Sequence, residues 1–211
     1  MPKNARLNKD IDAIELGFVE REATPKFAMK LGIQMHLAGL SLSNTVAVLE
    51  SLGVKRVRST VHNWVHKADL QPDDDMNPNQ VAVDETVIRL NDDLYWLYMA
   101  VDPVTNDVLH TKLYPTRNHY TAKDFMLELI EKHDLDESLF LVDGNLSLHD
   151  ACRYHSLRFR YEKHGNRNSV ERVFREVKRR TKAFSNSFSN AHLRTADDWL
   201  NSFAFAWNML I

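Results

Sequence analysis

The chain has few of the features that mark secreted or membrane-spanning proteins. Its 211 residues include one cysteine, Cys152, which excludes an internal disulfide framework and fits a reducing compartment. The longest apolar run is far below the roughly 18–20 residues of a membrane span. The basic residues near the N-terminus are not followed by an apolar segment of signal-peptide type. These absences predict a soluble, cytoplasmic protein with no membrane partner.

The chain also lacks a large net charge, and a formal value of −2 taken alone argues against a nucleic-acid binder. The charges are unevenly distributed, however. Residues 151–196 hold 12 Lys/Arg and three Asp/Glu, against 15 and 26 in the remainder of the chain. This asymmetry predicts a basic working face on an acidic body, although a solvated surface is the simpler interpretation of a lone basic helix.

Residues 1–70 have a helical pattern. Apolar residues recur at near-helical spacing over 27–37, Ser43 is a plausible N-cap for a helix that ends at Gly53, and Ser59 for one over 60–68. Helix, glycine turn and helix form the pattern of a helix-turn-helix, although a helical hairpin that only packs or dimerises has the same pattern. Several side chains of the last helix and its approach suit phosphate and base-edge contacts. They are Arg56, Arg58, Thr60, His62, Asn63, His66 and Lys67.

The remainder of the chain follows a predicted linker, residues 71–80, in which two prolines flank three consecutive acids. Residues 81–211 alternate between strand and helix patterns. We expect strands over 81–90, 94–101, 108–114, 139–142 and 158–162, and helices over 120–133, 146–155, 169–182 and 196–210. Three antiparallel strands followed by helix, strand, helix and strand predict an α/β fold, a mixed sheet with flanking helices, preceded by a small all-α region.

Three carboxylates stand in unusual surroundings. Asp84 lies within an apolar strand pattern, Asp143 follows a second one, and Glu171 opens a basic helix. Desolvating an acid is costly unless it is hydrogen-bonded or faces a cation. Each has an ordinary alternative, namely a strand-edge aspartate, an Asp-Gly turn and a helix-capping glutamate. One shared site is the more economical hypothesis, and it predicts divalent metals that meet a phosphodiester.

The helix that carries Glu171 has two neighbouring stripes. The apolar stripe consists of Val170, Val173, Phe174 and Val177. The charged stripe consists of Glu171, Arg175, Lys178 and Lys182. Because residues three or four apart share a helix face, the helix presents a carboxylate first and cations after it. A carboxylate suits a hard metal ion, and the cations suit a nucleic-acid backbone.

These residues resemble a known family, the DDE transposases of insertion sequences, and in particular insertion-sequence family six with its haloarchaeal members. The strings that carry the resemblance are 83–86, 142–144 and 168–171, with further matches over 59–64, 97–102 and 116–118. Lys178 stands seven residues after the third acid, where the family carries a basic residue. The 27 residues between Asp143 and Glu171 are fewer than in the bacterial branch, and in this respect the haloarchaeal branch is similar to the chain.

The resemblance implies an RNase H-like catalytic domain, residues 81–211, behind a helix-turn-helix DNA reader. It implies that Asp84, Asp143 and Glu171 are catalytic and hold two Mg²⁺ ions, for which Mn²⁺ substitutes. Lys178 is then catalytic as well, because it positions the DNA end. Further expected DNA contacts are Asn166, Arg167, Asn168, Arg175 and Arg179. Glu85 is expected on the opposite strand face from its neighbour and is not an expected ligand.

The partners implied by the resemblance are double-stranded DNA, both element ends and target, and a second copy of the chain. The favoured function is a transposase that cuts and joins the ends of its own element as a homodimer or larger assembly. The alternative is a catalytically inactive DNA-binding protein derived from a transposase, which only recognises those ends.

Overall fold

The computed structural model of the chain describes residues 13–18, 24–163, 165–183 and 192–210. Parts of the predicted domains 1–70 and 81–211 therefore lie outside the described residues. The elements are α1 (Lys26–Leu37), α2 (Leu42–Ser51), α3 (Arg58–Ala68), β1 (Gln80–Leu90), β2 (Asp93–Val101), β3 (Val108–Tyr114), α4 (His119–Lys132), β4 (Leu139–Val142), α5 (Leu146–Tyr154), β5 (Phe159–Tyr161), α6 (Asn168–Ala183) and α7 (Leu193–Leu210). Within these ranges, no helix combines the length and apolar character needed to cross a membrane.

The five strands form one mixed sheet in the order β3-β2-β1-β4-β5. The hairpin-connected strands β1, β2 and β3 pair antiparallel, whereas β4 pairs parallel with both β1 and β5. Strand β1 is therefore central, with neighbours on both sides. The mixed sheet, its flanking helices and the all-α region before it confirm the predicted RNase H-like fold class.

Two hydrophobic cores lie on the two faces of the sheet, because alternate strand residues point to opposite faces. On one face, Ala82 and Met99 belong to a core that also contains residues of α6, α7 and all three N-terminal helices, among them Trp64 of α3. On the other face, Val83 and Tyr98 pack with residues of α4 and α5. The N-terminal helices thus share a core with the sheet.

Glycines end the first two helices. Gly39 has φ +115° and Gly53 has φ +82°. Residues with a Cβ atom adopt this backbone region only at a cost in free energy. After α2, the Gly53 N–H donates to the Glu50 carbonyl and the Val54 N–H to the Leu49 carbonyl, both at 2.9 Å, which is the Schellman pattern. This turn brings the chain round into α3.

The predicted caps of α2 and α3 were wrong by a few residues. Ser41, not Ser43, precedes α2, and its Oγ accepts the Asn44 N–H at 3.1 Å. Helix α3 starts at Arg58, so Ser59 lies inside its first turn and Val57 takes the cap position without a side-chain bond. Serine is a favoured capping residue at 41, 43 and 59 alike, so residue type alone could not fix where the helices start.

Arg180 connects three helices. Its Nη1 donates to the Leu37 carbonyl at the end of α1, and its Nε lies 2.7 Å from Glu176 Oε1 on α6. The guanidinium also lies 5.5 Å from the centre of the Phe203 ring on α7. The side chain is only 12% exposed, and a largely desolvated charged hydrogen bond contributes more to stability than a surface ion pair.

We expect Arg180→Ala to lower the free energy of unfolding by about 2 kcal/mol, because the Leu37 carbonyl loses a charged donor. Arg179→Ala is the matched control, since Arg179 is the adjacent residue, is 63% exposed and pairs with the same Glu176. That change should leave the unfolding free energy almost unaltered. Urea unfolding followed by circular dichroism measures both values, and equal losses would contradict the role assigned to Arg180.

Candidate active site

Asp84 lies on the central strand β1 and is almost completely buried, with 9% exposure. Its Oδ1 accepts the backbone N–H of Glu85 at 2.9 Å, and its Oδ2 accepts from Nη1 of Arg167. Burial raises the pKa of Asp84 to about 6, against the opposing effect of the Arg167 guanidinium. The charges of Asp143 and Glu171 raise this pKa further, which places the three predicted acids in one electrostatic cluster.

Arg167 is the cation of this cluster. It lies in the short 3₁₀ turn before α6, is 8% exposed, and bridges two of the acids. Its Nη2 donates to Glu171 Oε1 at 2.9 Å, while its Nη1 bonds Asp84. A guanidinium presents several N–H donors in a fixed plane and is suited to two carboxylates at once. The bridge offsets part of the cost of desolvating Asp84.

Asp143 follows β4 directly and is partly exposed. Its Oδ1 accepts the Asn145 N–H at 2.8 Å, and its carbonyl oxygen lies 2.6 Å from Nε2 of His149 on α5. These contacts hold the loop that connects the end of β4 to α5. The carboxylate therefore stands at the carboxyl end of a parallel strand, where sites in α/β sheets commonly form.

Lys178 lies seven residues after Glu171 on α6, and its side chain reaches β1. Its Nζ donates to Thr86 Oγ1 at 2.6 Å, and Thr86 follows Asp84 by two residues on the same strand face. Helix α6 therefore runs along β1 with its acid beside Asp84 and its lysine beside Thr86. This geometry follows from the apolar stripe of α6, which is buried against the sheet.

Most of the side chains predicted to contact DNA are accessible. On α3, Arg58, His62, Asn63 and Lys67 are exposed, and so are Asn166, Asn168, Arg175 and Arg179 near or on α6. Thr60, Arg56 and His66 are half-buried. Arg56 donates to Thr24 Oγ1 at 3.1 Å through Nε, and His66 lies 3.2 Å from His62, ring nitrogen to ring nitrogen. Burial lowers the pKa of His66 to about 4, so this imidazole is neutral at pH 7.

Arg167 differs from the expectation of a direct DNA contact. Its side chain is buried and both terminal nitrogens bond acids of the cluster, so in this structure it does not face the surface. The neighbouring Asn166 is exposed, and its Nδ2 donates to Gln80 Oε1 at 2.9 Å. The physical reason is the buried carboxylate of Asp84, whose desolvation a charged donor offsets.

The residues present suit a divalent cation in their chemistry. Mg²⁺ prefers carboxylate oxygens, and Asp84 and Glu171 already converge on one cationic group. Within the described part of the chain, no group of three or more His, Cys, Asp or Glu side chains has the spacing of a metal site. Arg167 would have to withdraw before these acids and Asp143 could bind one ion together.

A second charged cluster, not predicted from the sequence, lies beside the first. Glu85 is 3% exposed, and its Oε1 lies 2.9 Å from Nε of Arg117 and 2.8 Å from Nδ2 of Asn145. Burial raises the pKa of Glu85 to about 7, with Arg117 opposing and the nearby Asp84 and Asp143 adding to the rise. The adjacent acids Asp84 and Glu85 could have indicated this second cluster. Neighbouring residues of a strand point to opposite faces of the sheet, so the two acids must lie in different surroundings.

Comparison with known proteins identifies the class. Residues 79–205 match the model of the DDE domain found in transposases, which spans more than half of the chain. The chain therefore belongs to the DDE transposase domain family. An uncharacterized protein of Methanocaldococcus jannaschii, MJ0017, is 29% identical over 207 residues, covering 94% of this chain and 95% of that protein.

Two viral integrase structures are also similar. The catalytic core domain of BIV integrase has a TM-score of 0.45 and 16% identity, covering 59% of this chain and 80% of that one. The HTLV-2 integrase catalytic core, solved in complex with magnesium in a dimeric form, has a TM-score of 0.43 and 16% identity, covering 58% and 82%.

We expect Arg167→Met to lower the free energy of unfolding by about 3 kcal/mol in EDTA, because the buried Asp84 carboxylate loses its cation. Arg175→Met, an exposed arginine of α6, is the matched control and should behave as the unaltered protein. Adding Asp84→Asn to Arg167→Met should recover much of the loss, since the unpaired charge is then removed. A double variant no more stable than Arg167→Met would show that the bridge contributes little.

Proposed function

We propose that the chain is a transposase of insertion-sequence family six, of the haloarchaeal type. It binds the terminal inverted repeats of its element and catalyses Mg²⁺-dependent cleavage and strand transfer of DNA. The observation that carries the proposal is the convergence of Asp84 and Glu171, from β1 and α6, on one cationic group, with Asp143 in the same electrostatic cluster. The DDE domain match over residues 79–205 supports the same conclusion.

In this proposal Asp84, Asp143 and Glu171 are the metal ligands. Bound there, two Mg²⁺ ions would supply Lewis-acid chemistry for a displacement at phosphorus. Arg167 gives up its bonds to Asp84 and Glu171 when the site is loaded. Its guanidinium is then free to bind a phosphate of the DNA end, for which its planar array of donors is suited. Arg167 thus pairs first with the acids and then with the DNA.

Lys178 positions the DNA end. Its ammonium lies beside Thr86, along β1 from Asp84, and is exposed on α6. A DNA backbone with one phosphate at Lys178 would run along β1 toward the acids. Arg175 and Arg179 are exposed on the same helix and continue the basic surface. Because such contacts neutralise phosphates, they raise affinity for DNA of any sequence.

The N-terminal helices read the element end. We assign DNA recognition to residues 1–70, with α3 as the helix that enters the major groove, residues 71–80 as a linker and residues 81–211 as the catalytic domain. Arg58, His62, Asn63 and Lys67 are exposed on α3 and supply donors to phosphates and base edges. Because an element has two ends, the active form is a homodimer or larger assembly on DNA.

The deciding experiment is strand transfer of a labelled element-end duplex into plasmid DNA, with Mg²⁺ and a salt titration. We expect joined products from the unaltered chain and none above background from Asp143→Ala or Glu171→Gln, because each removes a ligand charge. Both variants should still bind the end duplex, which a gel-shift assay measures. Products from either variant would remove that acid from the mechanism.

The same assay tests the alternative function. End binding without products from any form of the chain would favour a catalytically inactive DNA-binding protein. That alternative is favoured by the need for Arg167 to break its ion pairs with Asp84 and Glu171 before a metal ion could bind them.

We expect Arg58→Ala and Lys67→Ala each to weaken end binding and to reduce the slope of log K against log salt by about 1, since each removes one phosphate contact. Arg153→Ala is the matched control, because Arg153 is equally exposed but lies on α5 and pairs with Asp150. Filter binding at several salt concentrations measures the slopes. Unchanged slopes in the α3 variants would rule out α3 as the DNA-reading helix.

A further inference from the structure

The backbone pairing between β1 and β4 stops before either strand reaches its acid. The parallel register runs from Gln80–Leu139 to Ala82–Leu141. Asp84 lies two residues beyond its end on β1, and Asp143 two residues beyond on the β4 side. Between the two acids themselves, side-chain contacts take the place of this backbone pairing.

Glu85 supplies such a side-chain link. Its Oε1 accepts from Asn145 Nδ2 at 2.8 Å, and the Asn145 N–H donates to Asp143 Oδ1 at 2.8 Å. Asn145 is also the N-cap of α5, where its Oδ1 accepts the Ser147 N–H at 2.9 Å. Asn145 thus holds Asp143 and the start of α5 in one orientation, and Glu85 ties Asn145 to the central strand.

Arg117 holds Glu85 in turn. Its Nε lies 2.9 Å from Glu85 Oε1, and its guanidinium lies 4.9 Å from the centre of the Trp96 ring on β2. The Glu85 side chain is 3% exposed, and its Oε2 is buried without a hydrogen-bond partner within the described structure. Stability alone would favour an apolar residue over a buried acid with an unsatisfied oxygen. A buried acid at this position therefore points to a role other than stability, such as fixing the geometry of a site.

We propose that Glu85 and Arg117 are positioning residues that set, through Asn145, the orientation of the Asp143 carboxylate relative to Asp84. This inference rests on the proposed function, because only that function gives Asp143 a metal ion to bind. In metal sites generally, removing a hydrogen bond to a ligating carboxylate weakens metal affinity by about 10- to 100-fold.

The test measures Mn²⁺ binding to the full chain by calorimetry without DNA. Asn145→Ser keeps a capping oxygen for Ser147 and the N–H to Asp143, but removes the donor to Glu85. We expect Asn145→Ser and Glu85→Ala each to weaken Mn²⁺ binding by about 10-fold. Glu85→Gln retains an acceptor for Asn145 and should lose less. Asp150→Ala, an exposed acid of α5, is the control and should bind as the unaltered chain does.

A double variant separates positioning from a general loss of structure. Combining Glu85→Ala with Asn145→Ser should cost no more Mn²⁺ affinity than either change alone, because both break the same link. The strand-transfer assay should show a raised Mg²⁺ midpoint in these variants, and thermal midpoints in EDTA check that each is folded. A fully additive double variant would show that the two residues act separately.

Other outcomes distinguish this inference from the proposed function. If the unaltered chain binds Mn²⁺ and joins DNA, and Asn145→Ser and Glu85→Ala match it in both, the positioning role is overturned and the transposase proposal stands. If the unaltered chain neither binds Mn²⁺ nor joins DNA, both proposals fail, since Asp143 then has no ligand to be positioned for.

Discussion

Helix α6 is held against the sheet by a stripe of four apolar side chains, and this packing fixes how the helix is rotated. Val170, Val173 and Val177 are completely buried and Phe174 is 6% exposed. With that stripe turned inward, Glu171 lies toward β1 at one end of the helix and Lys178 lies beside Thr86. Arg180 falls on the side that meets the end of α1. One packing requirement therefore sets the direction of the charged groups that carry the proposed chemistry.

Two adjacent acids on the central strand impose the second constraint. Asp84 and Glu85 point to opposite faces of the sheet, and both are desolvated. Asp84 forms an ion pair with Arg167, and Glu85 forms one with Arg117. The pKa of each is raised, and in both cases Asp143 contributes to the rise. The acids therefore repel one another just beyond the point where the pairing of β1 with β4 ends. Arg167 and Arg117 relieve part of this repulsion, and under the proposed function a bound metal ion would relieve more of it.

Features that depend on local periodicity could be predicted from the sequence. The alternation of β1 separates Asp84 from Glu85, and the 3.6-residue period of α6 places its apolar and charged stripes. The inward direction of Arg167 could not be predicted in this way. In the sequence it is one more cation in a basic segment, and only the fold brings it to Asp84, which lies 83 residues earlier. The link from Glu85 to Asn145 spans 60 residues and was missed for the same reason.

The shared core has a consequence for how the two proposed activities would cooperate. Trp64 of α3 and Phe203 of α7 belong to the same buried cluster as the α6 stripe, and Arg180 joins α6 to the end of α1. Because these contacts are buried, α3 cannot move far relative to the acids without exposing apolar surface. Under the proposed function, the distance along the DNA between the bases read by α3 and the phosphate at the acids is therefore set by packing. The residues 71–80 that join the two parts need not supply that spacing.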